Sequence, residues 1–352
     1  MAKNTLSTGI DYKSNSLQLI KYIAAFSVLW THTISHCEID VPDWLNSTIS
    51  FFYGVPLFFA ISGFTLWLSF EKNADFKLYF KKRFFRIYPE LWIGVIVSAI
   101  ILIILYPQVR SLSGITSLGV FSLTQGTFMQ FWTPGALRGY GVGTPNGSLW
   151  TICTLIQFYI LAIFFFKFIR NKKIYWWFIF FALSVGAQFI SPYLYGFLPE
   201  TVCKLYGQLI LGYFWFFLTG MFIAKYKDKI IPFLKRFWYL FIAANLMIRF
   251  IGVDLDLSYP LLKSILLIAG VIGFAYATPF IKINYDCAYG IYIYHMIVVN
   301  VFVHLGIVGH RWLILTVIAL TVIASIGSTY AGKLIRKKFE TKPLVPSPEA
   351  KQ

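Results

Sequence analysis

Apolar residues recur along the chain in runs of roughly 18 to 22, about the length a helix needs to cross a hydrocarbon core. Ten runs stand out, two of them somewhat shorter, near 17–37, 49–70, 90–106, 149–169, 174–191, 205–224, 237–251, 261–280, 286–305 and 312–332. Backbone polar groups in lipid must be satisfied internally, so each run predicts a membrane helix. The expected fold is all-α and polytopic, with about ten transmembrane helices forming a single transmembrane domain over residues 1–338. Beyond it, 339–352 contains Pro343, Pro346 and Pro348 and is expected to be a disordered tail.

Composition supports that reading. Hydrophobic residues make up 58% of the chain and charged residues 13%, with a mean hydropathy of +0.69. A soluble domain would carry about 25% charged residues. The surplus of 31 Lys+Arg over 14 Asp+Glu could suggest nucleic acid, but the placement of the charges excludes it. Basic residues gather in alternate connectors, as the positive-inside rule requires. The intervening connectors carry acids instead: Glu38, Asp40, Asp43, Glu200, Asp254 and Asp256. Both termini are then expected on the cytoplasmic side. The first run is too long for the core of a cleavable signal. Cys37, Cys153, Cys203 and Cys287 lack metal or redox spacing and read as packing residues.

Candidate chemistry begins in the first run. Lys21 and His32 are eleven residues apart, which on a helix leaves them ~20° apart on one face and ~16 Å apart along the axis. Such residues in a membrane helix usually face a bundle interior or a watery path. An imidazole there could take a proton from a hydroxyl or carry an acyl group. The plainer alternatives are a helix-packing bond for His32 and snorkelling of Lys21 to headgroups. His36 lies one turn further on. Two histidines without a third ligand predict no metal site.

The segment 71–89 mixes cations with Phe76, Tyr79, Phe80, Phe84 and Phe85, and predicts an interfacial helix against the inner leaflet. Within it, Arg83 and Arg86 are helical neighbours whose forks suit a phosphate, with anionic lipid, attracted also by Lys81 and Lys82, as the alternative partner. In the second run Ser62 and Gly63 predict close helix packing. In the ninth, His295 falls near the bilayer midplane, with Tyr292 one turn earlier. Either a functional role or a structural Tyr–His hydrogen bond is open for that pair. The connector 107–148 is long enough to be functional or disordered. Its Trp132, Tyr140 and Asn146, and Ser148 and Trp150 after them, would suit sugar contacts.

Lys21 with His32, GVPLFFAISGF (54–64), RFFRIYP (83–89), SLWTICTLIQFYIL (148–161) and YGIYIYH (289–295) occur in one order. Together they resemble the acyltransferase-3 family of integral-membrane acyltransferases, which modify envelope glycans and some other acceptors. That resemblance implies His32 as the catalytic residue, with Lys21, Arg83 and Arg86 holding an acyl-CoA donor such as acetyl-CoA. Ser148, Trp150, Tyr292 and His295 would support the acceptor side. It implies O-acyl transfer, most simply O-acetyl, to a sugar hydroxyl of an envelope polysaccharide or lipid-linked glycan, in a multi-pass cell (inner) membrane protein surrounded by lipid. No metal is expected. The chain departs from the family pattern at Leu155 and Ile156, where many members carry acids, and at Glu90 after Pro89. No fused esterase-like domain is expected, and the chain is expected to stand alone or to work with a separate extracytoplasmic partner protein. A lipid-linked glycan flippase or transporter would also fit a polytopic bundle, but no matched pair of interrupted helices is found. A glycan polymerase would leave Arg83 and Arg86 without a role.

Overall fold

The computed structural model describes residues 11–194, 196–252 and 259–340. Its helices are α1 (Leu17–His36), α2 (Asp43–Ile49), α3 (Gly54–Lys72), α4 (Phe76–Leu105), α5 (Leu112–Gln125), α6 (Trp150–Ile169) and α7 (Tyr175–Leu194). They continue as α8 (Glu200–Tyr206), α9 (Phe214–Lys225), α10 (Lys227–Ile251), α11 (Leu261–Ala277), α12 (Ala288–His304) and α13 (Trp312–Glu340). The described residues contain no strand, so the protein is an all-helical polytopic membrane protein. Six stretches, 43–72, 76–105, 147–169, 175–194, 227–251 and 312–339, are long and apolar enough to cross a membrane. Helices α9, α11 and α12 are apolar but shorter. The polar residues of α1 (Lys21 and Thr31, His32, Thr33, Ser35 and His36) keep it out of the six. Large apolar side chains such as Ile96, Ile104, Phe178, Leu183 and Phe250 stand exposed on the outside, as contact with acyl chains requires.

Two departures from the sequence reading matter for the site. The basic segment 71–89 is not a separate interfacial helix. Asp75 caps α4 by accepting a hydrogen bond from the Leu78 amide at 2.6 Å, and from Phe76 the helix runs unbroken into the apolar third run with Pro89 inside it. A proline frees the carbonyl four residues back, a cost that must be met elsewhere in a low-dielectric setting. Here the freed Phe85 carbonyl accepts a bond from Arg336 Nε of α13 at 3.1 Å. The arginine pair is therefore fixed in the bundle. The second departure concerns 107–148, which is folded: α5 and short 3-10 turns pack on α4 around Leu102, Tyr106, Phe121 and Tyr140. The end of the chain differs slightly too, since α13 continues to Glu340, while 341–352 and the acids Asp254 and Asp256 lie outside the described residues.

The core runs through α1, α3, α6, α9 and α12, with Leu57, Phe64, Phe158, Phe217 and Ile293 fully enclosed. Helices α3 and α9 lie so close that a Cβ at Gly63 would strike the Phe217 carbonyl, and one at Gly220 the Ala60 carbonyl. This is the small-residue packing expected of membrane helices. Gly220→Val is expected to destabilise by about 1–3 kcal/mol through overpacking, read as a lower Tm in detergent. Gly186→Ala, where an added Cβ meets nothing within 4 Å, should leave Tm unchanged.

Candidate active site

Helices α1 and α12 run side by side, and their facing surfaces carry the polar residues that the sequence analysis singled out. His32 Nδ1 lies 3.0 Å from His295 Nε2, a hydrogen bond between residues far apart in the chain. His295 is fully buried, and its Nδ1 lies 3.3 Å from the Ile291 carbonyl. The His36 ring is 5.6 Å from that of His32. The face that carries Lys21 and His32 therefore turns into the protein.

A cavity of about 130 Å³ opens beside this pair, room for several water-sized groups. Lys21, Arg83 and Arg86 line one end of it, and Phe58, Thr151 and Tyr292 line the other, with Ser62 and Thr65 on the α3 wall. Much of the remaining lining is apolar, including Val55, Phe59, Ile152 and Leu155. Neither histidine lines the cavity. Tyr292 stands between, its ring 5.6 Å from His295 and 5.7 Å from Phe58.

The cationic end is built by α1, α4, α6 and α12 and the loop before α12. Arg86 Nη2 donates to Asp286 Oδ2 at 2.7 Å, and its guanidinium sits 5.8 Å over the Tyr289 ring. Gln18 Nε2 donates to the other carboxylate oxygen at 2.8 Å. Arg83 rests on the Tyr159 and Tyr79 rings, at 5.5 and 5.7 Å, while its buried Nε has no hydrogen-bond partner among the described residues. Lys21 Nζ reaches Gln18 Oε1 at 3.4 Å. One turn beyond Arg86, buried Glu90 accepts from Thr329 Oγ1 at 3.1 Å and lies 3.9 Å from Arg336. Such an end can take an anion: it offers a donor without a partner and two more cations within the same lining.

The opposite end is held by a clamp between the 138–149 segment and α12. Asn146 Nδ2 donates to the Ile293 carbonyl at 2.9 Å, and Ser148 Oγ donates to Asn146 Oδ1 at 3.0 Å. Asn300 Oδ1 accepts from the Val142 amide at 2.9 Å, and its Nδ2 donates to the Thr144 and Pro145 carbonyls at 3.1 and 3.2 Å. Of the two alternatives open for that pair, a hydrogen bond from the Tyr292 hydroxyl to His295 is not the one formed. The Tyr292 hydroxyl donates instead to the Ser148 carbonyl at 2.9 Å and pairs with Thr151 Oγ1 at 2.6 Å, because on one helix face its ring stacks edge-on past the imidazole. Trp150 turns to the Tyr213 ring, 5.4 Å away, and does not line the cavity. Tyr140 and Asn146 point inward, leaving Trp132 half-exposed.

The structure thus brings together Lys21, Arg83 and Arg86, and separately His32 with His295, with Tyr292 joining the two groups. Asp286, Asn300, Thr151 and Phe58 were not singled out from the sequence. An acid next to YGIYIYH and an asparagine closing the same helix were the available signals.

A family profile described as "Acyltransferase domain" matches residues 14–332. The chain belongs to the acyltransferase-3 family. Among relatives of this acyltransferase-3 protein, Nodulation protein 10 of Rhizobium leguminosarum bv. viciae is 24% identical over 327 residues, spanning 85% of this chain and 86% of the relative. Peptidoglycan O-acetyltransferase OatA of Listeria monocytogenes serovar 1/2a is 26% identical over 134 residues, 35% of this chain and 21% of that protein. No solved structure matches. As a member of acyltransferase-3, the protein is a membrane acyltransferase, and the cavity together with the imidazole pair behind Tyr292 is its candidate active site.

Two substitutions probe the clamp. Tyr292→Phe removes one donor from the Ser148 carbonyl and is expected to cost about 1 kcal/mol. Asn300→Ala removes three bonds to 142–145 and is expected to cost more, ~2–3 kcal/mol. Thermal unfolding, with protease access at 138–146 as a local readout, checks the order.

Proposed function

We propose that the protein is an O-acyltransferase that moves a short acyl group, acetyl in the simplest case, from cytosolic acyl-CoA to a sugar hydroxyl of an envelope glycan or its lipid-linked precursor. The observation that carries this reading is the order of groups along α1 and its neighbours. Three cations line the entrance, an apolar channel follows, and an imidazole pair lies just past Tyr292. In this reading the positive-inside orientation puts the cations at the cytosolic face of the inner membrane, where nucleotide-bearing donors occur.

Arg83, Arg86 and Lys21 then hold the phosphates of CoA, the guanidinium forks by paired charged hydrogen bonds and the ammonium as a point charge. The thin pantetheine arm threads between Phe59, Ile152 and Leu155, and the thioester arrives below Tyr292. His32 serves as general base or transient acyl carrier. His295 supports it, and the buried Ser148 and Tyr292 hold the wall through which the arm passes. Trp150 and the exposed Trp132 offer aromatic surface to a sugar. An uncharged acyl group suits the uncharged lining between the cations and Tyr292, which favours acetyl over succinyl. The partial match to a peptidoglycan O-acetyltransferase supports a carbohydrate acceptor. A separate extracytoplasmic protein would present that acceptor.

Purified protein in vesicles with labelled acetyl-CoA and envelope glycan is expected to add one acetyl mass to the glycan. His32→Ala is expected to lower that rate by about 10²–10⁴-fold, the usual worth of a proton-transfer group. Wild type that transfers no label and hydrolyses no thioester would defeat the reading and return the flippase and polymerase alternatives. Arg83→Ala is expected to raise KM for acetyl-CoA about tenfold or more, as the loss of a charge-assisted bond implies, with protein level maintained. Equal loss of level and activity would return Arg83 to an anchoring role.

A further inference from the structure

The contacts of the two imidazoles fix where their protons sit. The Ile291 carbonyl oxygen can only accept, and it lies 3.3 Å from His295 Nδ1, so that nitrogen carries the proton. A neutral imidazole has one N–H, which leaves His295 Nε2 bare. His32 Nδ1 stands 3.0 Å from that bare nitrogen, and a bond between two ring nitrogens needs one proton, so His32 Nδ1 donates it. The lone pair of His32 is then at Nε2, on the side of the ring away from His295.

The reverse assignment sets the lone pair of His295 Nδ1 against those of the Ile291 oxygen. A doubly protonated His295 would be a fully buried cation with no carboxylate bonded to either ring among the described residues, an arrangement proteins avoid. We infer that His295 is a positioning residue whose backbone-anchored Nδ1–H fixes the tautomer of His32 and makes His32 Nε2 the reacting atom.

The proton placement stands on geometry, while its effect on rate rests on the acyl-transfer reading. In the general-base route, Nε2 takes the proton of the acceptor hydroxyl as that oxygen bonds to the thioester carbon. The C–S bond breaks, and Nε2 returns the proton to the departing thiolate. In the acyl-carrier route, Nε2 itself bonds to the thioester carbon and the thiolate leaves. The hydroxyl oxygen then bonds that carbon, the C–N bond returns its electron pair to Nε2, and the hydroxyl proton ends on the CoA thiol. Either way the His32 ring bears a transient positive charge, and the Nδ1–H bond to His295 Nε2 spreads it. With the other tautomer Nε2 would carry a hydrogen and do neither.

The test uses full-length protein in lipid nanodiscs with ¹⁵N-labelled histidine, signals being assigned by single-site variants. Wild type is expected to show Nδ1–H and bare Nε2 on both His32 and His295. His295→Leu should give His32 a population protonated at Nε2 and lower kcat about a hundredfold or more, as loss of a tautomer-fixing partner does elsewhere, with KM for acetyl-CoA unchanged. His295→Gln, whose amide oxygen can accept from His32 Nδ1, should recover most of that kcat. Bare Nδ1 on His32 in wild type would overturn the inference. So would a kcat within twofold of wild type for His295→Leu, or an equal loss in folded Leu and Gln variants. Should His295→Leu fail to fold, the wild-type spectrum decides alone. Wild type that transfers no acyl group overturns the acyl-transfer reading only, since the spectrum still reports the protons.

Discussion

The bond between His32 and His295 is the constraint around which the bundle is arranged. Two imidazoles in a low-dielectric interior each need a partner for every polar nitrogen that loses water. One ring supplies its partner from its own helix, through the Ile291 carbonyl, and the other takes its partner from the first. This chain of bonds holds α1 against α12 at a single register. That register also sets Lys21 of α1 beside the loop that carries Asp286, where the cationic entrance forms.

Helix α12 joins both halves of the site. Its start is tied to Arg86 through Asp286, its middle carries Tyr292 and His295, and its far end holds the 138–149 segment through Asn300. Few of these bonds join charged groups, in keeping with the cost of leaving an ion in lipid. Polar groups that would be a liability singly become affordable as a connected set, since nearly every member finds a partner inside the protein.

The sequence made part of this legible, for a physical reason. Helical periodicity is local, so the shared face of Lys21 and His32 and the adjacency of Arg83 and Arg86 follow from spacing alone, and both recur in the structure. Which helix each face meets is not local. The partner of His32 lies 263 residues away, and its spacing along the chain carries no trace of that. The continuity of α4 was hidden because Pro89 reads as a boundary, whereas Arg336 at the far end of the chain satisfies the carbonyl that the proline frees. Residues 107–148 look like open loop because their order comes from Asn300 and the α4 surface rather than from their own apolar pattern.

The Arg86–Asp286 contact carries one more implication. A tethered carboxylate occupies one fork of the cationic end, so in the proposed reading an incoming anion has to win that fork from a competitor that never diffuses away. A ligand with a single negative charge gains little by the exchange, while one carrying several can engage Arg83 and Lys21 at the same time and leave the carboxylate to Gln18. Under the proposed donor reading the aspartate would thereby work as a threshold, favouring polyanions over the abundant small anions around them.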